Sequence, residues 1–93
     1  MTVLEAPIAA DRETDLIHAY RELVRPGLPE AIVETFLVRA EGGIWRIVTI
    51  GRSRGDLDEF RASGVTPGGV LVFRAAGAEP TLTVLDVVEH AGR

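Results

Sequence analysis

Apolar and polar positions alternate with a helical period in one stretch near the start of the chain. Five apolar residues there form one stripe of a helix: Leu16, Ile17, Tyr20, Leu23 and Val24. Asp11 is suited to cap the start of this helix, because its side-chain oxygen can accept a hydrogen bond from an unpaired backbone N–H. Pro26-Gly27 ends the pattern, since proline cannot continue a helix. We therefore predict a helix between Asp11 and Pro26.

Four other stretches are rich in β-branched and aromatic residues or alternate between apolar and polar positions, which is typical of strands. They cover residues 3–8, 31–41, 44–50 and 81–90. Pro7 weakens the first of them and suits the end or the edge of a sheet.

Helix signals lie between the third and fourth of these strands. Ser53 and Asp56 form a capping pair ahead of the apolar residues Leu57 and Phe60, and Ser63-Gly64 ends that helix. Residues 70–73 are a short apolar run that fits either a helix or a strand. The sequence around this run favours a helix over residues 70–76, because a Thr-Pro pair precedes it and a glycine follows it.

The resulting order is βαββαβ, which predicts an α+β fold of the ferredoxin-like type with an antiparallel sheet and helices on one face. The 93 residues fit a single domain, residues 1–93. A chain of this length buries only about 60–65% of the surface that its unfolded form exposes, so association would widen a thin stability margin.

The Gly42-Gly43 pair predicts a two-residue turn between the second and third strands. Such a turn pairs Ala40 with Trp45 and Arg39 with Arg46. One face of the hairpin then carries Val33, Leu37, Val48 and Ile50, and the other carries Ile32, Phe36, Val38, Trp45 and Ile47. Both faces are apolar, so both must be covered. The helices suffice for one face, and we expect a second copy of the chain to cover the other, giving a homodimer through the sheet face.

Composition excludes several classes of function. The net charge of −4 argues against nucleic-acid binding, which needs clustered positive charge. No apolar run approaches the length of a membrane span or a secretory signal, so we expect no membrane partner and a cytoplasmic location. The chain has no cysteine, and its two histidines are His18 and His90, so we expect no metal and no cofactor.

The candidate site residues are aromatic and ionisable. Tyr20, Phe36, Trp45 and Phe73 could line a cavity for a small apolar ligand, although packing in the core or at an interface explains such residues more often. The candidate polar groups are His18, Glu34, Arg39, Arg46 and Asp86. His18 fits a surface position, and a carboxylate enclosed in a cavity could act as a base. Two facing arginines would need a carboxylate or an anion between them, unless the register differs.

The run from Ile44 to Arg54, IWRIVTIGRSR, together with the order of elements, resembles the dimeric α+β barrel superfamily and within it the antibiotic biosynthesis monooxygenase-like group. The resemblance implies a ferredoxin-like monomer whose sheet packs against that of a partner. It also implies oxidation of a small apolar or aromatic compound without a cofactor. Gly51 and Gly55 depart from the aromatic residue and the Glu that are frequent in that group.

The chain also lacks Asn, Gln and Lys. The Asn on which active members often depend cannot be matched, and no side-chain amide can hold an oxyanion. No catalytic residue is carried over. Whether the chain is an enzyme stays open, and the alternative to a monooxygenase is a non-catalytic dimer that binds a small molecule or serves association alone.

Overall fold

The computed structural model describes residues 1–52 and 68–92. They form four strands and two α-helices: β1 (Thr2–Pro7), α1 (Glu13–Val24), β2 (Ile32–Arg39), β3 (Ile44–Gly51), α2 (Gly68–Ala75) and β4 (Thr81–Val84). The helix predicted from Ser53 to Gly64 and the Thr66-Pro67 start lie outside the described residues.

The four strands form one antiparallel sheet in the order β2-β3-β1-β4. This confirms the ferredoxin-like βαββαβ fold. The segment at 70–73 is helical and belongs to α2, so the strand alternative for it is wrong. None of the helices in the described part of the chain is long and apolar enough to cross a membrane.

Helix α1 begins differently from the prediction. Asp11 lies inside a short 3-10 turn, Ala10–Arg12, and no side chain caps α1. The first turn is held instead by Arg12, whose Nε donates to Asp15 Oδ2 at 2.8 Å and whose Nη2 donates to the carbonyl of Ala75 at 2.9 Å. A cation at the carboxyl end of a helix is favourable, so Arg12 ties the start of α1 to the end of α2.

The turn between β2 and β3 has three residues, Glu41–Gly43, and not two. The N–H of Ala40 donates to the carbonyl of Ile44 at 2.7 Å, and Gly42 and Gly43 both have positive φ, at 75° and 77°. The carbonyl of Gly43 accepts from the N–H of Ile8 at 3.0 Å, so β1 also holds the turn in place. Two consecutive residues in the left-handed region require glycine, which explains the pair.

The longer turn shifts the register by one residue, so the predicted pairing is wrong. Arg39 lies opposite Trp45, and Arg46 lies opposite Val38. The two arginines therefore do not face each other. The predicted composition of the two faces is corrected as well, because a slip of one residue moves every side chain of a strand to the other face.

The inner face, which the helices cover, follows from the register. Its members include Leu37, Trp45 and Ile47, which lie beside Ala6 and Leu4 of β1. Phe36 and Val38 are on the outer face, away from the helices, with Val3, Val48 and Ile50.

Strand β4 is shorter than the predicted strand at 81–90. It lies at the edge of the sheet, and β1 is its neighbour there. Backbone hydrogen bonds at 2.8 and 2.9 Å join Leu85 to Met1, and the pairing goes no further. Residues 86–92 are irregular, and the apolar side chains of Val87 and Val88 are exposed.

The core lies between the inner face and the two helices. Its buried members are Leu4, Ala6, Ile8, Leu16, Trp45, Ile47, Val72, Phe73 and Ala76. Leu16 and Phe73 are fully buried, one on each helix. Gly69 permits this close packing, since a Cβ at that position would lie 2.7 Å from Leu4 Cδ1.

We expect Phe73→Ala to lower the free energy of unfolding by about 3–5 kcal/mol, because it removes a fully buried ring and leaves a cavity. Leu71→Ala is the matched control on the same helix. Because Leu71 is 53% exposed, its replacement should lower the free energy of unfolding by less than about 1 kcal/mol. Urea unfolding followed by circular dichroism measures both. Equal costs for the two variants would contradict the assignment of the core.

Candidate functional site

A cavity of about 450 Å³ lies between the inner face of the sheet and the helices. The sheet contributes Thr2, Leu4, Thr35, Ile47, Thr49 and Leu82; the end of α1 and the loop after it contribute Leu23, Val24 and Leu28; and the start of α2 contributes Gly68, Gly69 and Val70. The walls are largely apolar, and the volume suits a small organic molecule.

The end of α1 and the beginning of α2 both lie at the cavity. Helix α1 stops at Val24, and the N–H of Gly27, which has a φ of 99°, donates to the carbonyl of Val24 at 3.1 Å. The chain then turns away toward Leu28, which reaches the cavity wall. The first turn of α2 approaches both α1 and the sheet, since a Cβ at Gly68 would lie 2.5 Å from Leu23 Cδ1 and one at Gly69 would lie 2.7 Å from Leu4 Cδ1. Glycine at these two positions permits both close approaches.

Arg74 and Glu79 contribute the charge at the margin of the cavity. They form a two-pronged ion pair, with Arg74 Nε to Glu79 Oε2 at 3.0 Å and Nη2 to Oε1 at 2.9 Å. The hydrogen bond from Arg74 lowers the pKa of the Glu79 carboxyl, and the same contact raises the pKa of Arg74. Each charge is therefore already compensated, and Glu79 is a weaker base than an ordinary carboxylate.

The four aromatic residues predicted to line a cavity lie elsewhere among the described elements. Trp45 and Phe73 are packed in the core, with 6% and 0% of their surface exposed. Tyr20 and Phe36 line a second, more open depression beside α1 and β2, which shares Val24, Leu28 and Thr35 with the first cavity. Contact of any of these four with a ligand stays a prediction.

The predicted polar groups are also spread over the molecule. His18 is exposed on α1, Glu34 is exposed on the outer face of β2, and Asp86 is exposed beyond the end of β4. Among these three, Glu34 borders the open depression. The structure does not bring them together at one site.

The two arginines of the hairpin have separate partners. Arg39 lies 5.5 Å from the centre of the Trp45 ring, with its Nη1 3.6 Å from Glu13 Oε2. Arg46 forms an ion pair with Glu5 on the neighbouring strand. The alternative in which the register differs is therefore the correct one, and each arginine has its own carboxylate partner, Glu13 for Arg39 and Glu5 for Arg46. Within residues 1–52 and 68–92, no three His, Cys, Asp or Glu side chains are grouped to hold a metal ion.

The residues that line the cavity were not predicted from the sequence. Apart from Arg74 and Glu79, they are leucines, valines, isoleucines, prolines, glycines and threonines, none of which is chemically distinctive alone. The signal that could have found them is register. With a three-residue turn, Thr35 and Thr49 fall on the same face as Leu37 and Ile47.

Comparison with solved structures finds the structure of Rv0793 from Mycobacterium tuberculosis, with a TM-score of 0.60 and 20% sequence identity. The match covers 95% of this chain and 96% of that chain. What the two share is the fold. No family model matches the chain, and no curated protein does.

We expect Arg74→Met to raise the pKa of Glu79 back toward its ordinary value, because the variant removes the hydrogen bond and the positive charge. Carboxyl titration by NMR measures this directly. Since the folded-state pKa of Glu79 is lowered, the pair stabilises the fold above the unfolded-state pKa, and that contribution is lost as pH falls through the folded-state pKa. Arg25→Met, which removes the partner of Glu22, is the control and should leave Glu79 unchanged. An unchanged pKa in Arg74→Met would contradict the pairing.

Proposed function

We propose that this protein is a homodimer that binds a small, largely apolar compound in the cavity between its sheet and its helices. The observation that supports binding is the cavity itself, about 450 Å³ in volume with walls made mostly of aliphatic side chains. Such a space binds apolar surface because transfer from water releases roughly 25 cal/mol for each Å² buried. A ligand without net charge fits best, since Arg74 and Glu79 at the margin already neutralise each other.

The outer face of the sheet supports the homodimer. Phe36 and Val38 are 44% and 40% exposed there, beside Val3, Val48 and Ile50, and no described helix covers them. A second copy presents the same surface, so two copies can pair face to face about a two-fold axis. Among the charges on this face, Arg46 and Glu5 are paired within each chain, and Glu34 is exposed on β2 opposite Ile50. The dimeric α+β barrel and the antibiotic biosynthesis monooxygenase-like resemblance imply the same arrangement.

We expect the protein to sediment at twice the mass of its chain and Phe36→Glu to sediment as a monomer. The variant places a carboxylate in the apolar patch opposite Val48, where pairing of two copies would bury it among apolar side chains. Analytical ultracentrifugation at micromolar concentration measures both. Leu71→Glu adds the same charge to the exposed side of α2 and should remain a dimer. A monomeric parent protein would contradict the proposed dimer.

We expect Leu82→Trp to weaken binding of an apolar probe such as 2-methylnaphthalene at least about 10-fold, because the indole would occupy the cavity beside β4. Leu82 is 44% exposed on an edge strand, so the larger side chain should not prevent folding. Probe fluorescence gives the dissociation constant. Leu71→Trp carries the same added ring away from the cavity and should bind like the parent. Equal binding by the two variants would place the probe elsewhere.

The second candidate function is cofactor-independent oxygenation of such a compound. The apolar cavity and the family resemblance support it. That reaction needs a base to remove a proton from the substrate. In the described part of the lining, the ionisable side chains are Arg74 and Glu79, and their pairing lowers the basicity of Glu79. Binding without turnover is therefore the better-supported proposal. Oxygen uptake in the presence of protein and a naphthol, absent in Leu82→Trp, would favour the oxygenase instead.

A further inference from the structure

Three threonines form a row across the inner face of the sheet. Thr49 of β3 lies opposite Thr2 of β1 on one side and opposite Thr35 of β2 on the other. All three line the cavity. Since neighbouring strands lie about 4.8 Å apart, the row places three hydroxyls along roughly 10 Å of the cavity wall.

The hydroxyls of this row are available to a ligand. Each threonine is half-buried, and within the described part of the chain the structure records no hydrogen bond to any of the three side chains. The next inner-face positions on β1 and β3 are Leu4 and Ile47, both buried. The row is thus a polar strip on an otherwise apolar wall, and none of its three hydroxyls is among the buried, unpartnered side-chain atoms of the described chain.

Strand propensity alone does not account for the row. Threonine is a good strand former, but valine has the same shape and propensity and would suit an apolar wall better. What threonine adds is a group that both donates and accepts hydrogen bonds. A neutral oxygen atom matches that group, whereas the two charges among the described lining residues, Arg74 and Glu79, are already paired with each other.

We propose that Thr2, Thr35 and Thr49 are the polar subsite of the cavity, and that its ligand is an apolar compound bearing a hydroxyl or carbonyl oxygen that lies on this row. The inference rests on the proposed ligand-binding function and specifies the class of ligand. The apolar body of the ligand would pack between Leu4, Ile47 and the end of α1. The row thereby selects oxygenated compounds over plain hydrocarbons.

A double-mutant cycle tests the proposal. It replaces a hydroxyl by a methyl group of similar shape, both in the protein and in the probe. The probes are 2-naphthol and 2-methylnaphthalene, which differ by a hydroxyl in place of a methyl group. The proteins are the parent chain, Thr49→Val, Thr35→Val and the control Thr14→Val, whose threonine is exposed on α1 away from the cavity. Titration followed by probe fluorescence gives the eight dissociation constants.

We expect the parent to bind 2-naphthol about 3- to 10-fold more tightly than 2-methylnaphthalene, the range that one neutral hydrogen bond provides. Thr49→Val or Thr35→Val should lose that preference while binding 2-methylnaphthalene as tightly as the parent does. The control Thr14→Val should keep the preference for 2-naphthol. Equal affinity of the parent for both probes, or equal weakening of both by the valine variants, would overturn the threonine subsite and leave the cavity intact. Binding of neither probe would instead overturn the proposed ligand-binding function together with the subsite.

Thermal unfolding without ligand gives an independent readout. Because the hydroxyls have no partner in the described structure, Thr49→Val should unfold at the same temperature as the parent or at a higher one. Loss of stability would show that the Thr49 hydroxyl serves the fold, and it would contradict a role in binding. A residue kept for a ligand at the expense of stability is expected at a functional site.

Discussion

The structure depends on the three-residue turn between β2 and β3. Gly42 and Gly43 both adopt the left-handed conformation, and the carbonyl of Gly43 accepts a hydrogen bond from the N–H of Ile8, which directly follows β1. A turn shorter by one residue would reverse every side chain of β2. Phe36 would then point at the helices, and Thr35 would leave the cavity wall. The outer apolar face and the polar row of the cavity are consequences of this one turn.

The order of elements could be predicted from the sequence because its signals are local. Pro26-Gly27 and Gly77 end helices through the conformation of a few neighbouring residues. The register could not be predicted in the same way, since the Gly-Gly pair is compatible with two turn lengths. The choice between them involves the hydrogen bond from Ile8, which is far away in the chain. The end of β4 likewise follows from where β1 stops pairing with it, and the alternation through residue 90 carries no information about that partner.

The candidate site was harder to predict than the fold for a physical reason. Chemically distinctive residues attract attention in a sequence, but large aromatic side chains gain the most free energy from full burial. Trp45 and Phe73 accordingly fill the core, where they support the cavity without lining it. The walls of the cavity are made of aliphatic residues and threonines, whose role follows from their position alone. Only the pairing of Thr2, Thr35 and Thr49 distinguishes them from ordinary strand residues.

The two faces of the sheet can therefore serve different purposes in one small domain. Covering Phe36 and Val38 with a second copy would bury the outer face without touching the cavity, because the cavity lies against the inner face of the sheet. The added burial would offset the stability that the inner face gives up by leaving space beside Leu4 and Ile47. The proposed dimer and the proposed ligand site would then be linked energetically, since in a chain of 93 residues association would stabilise the sheet that forms the wall of the cavity.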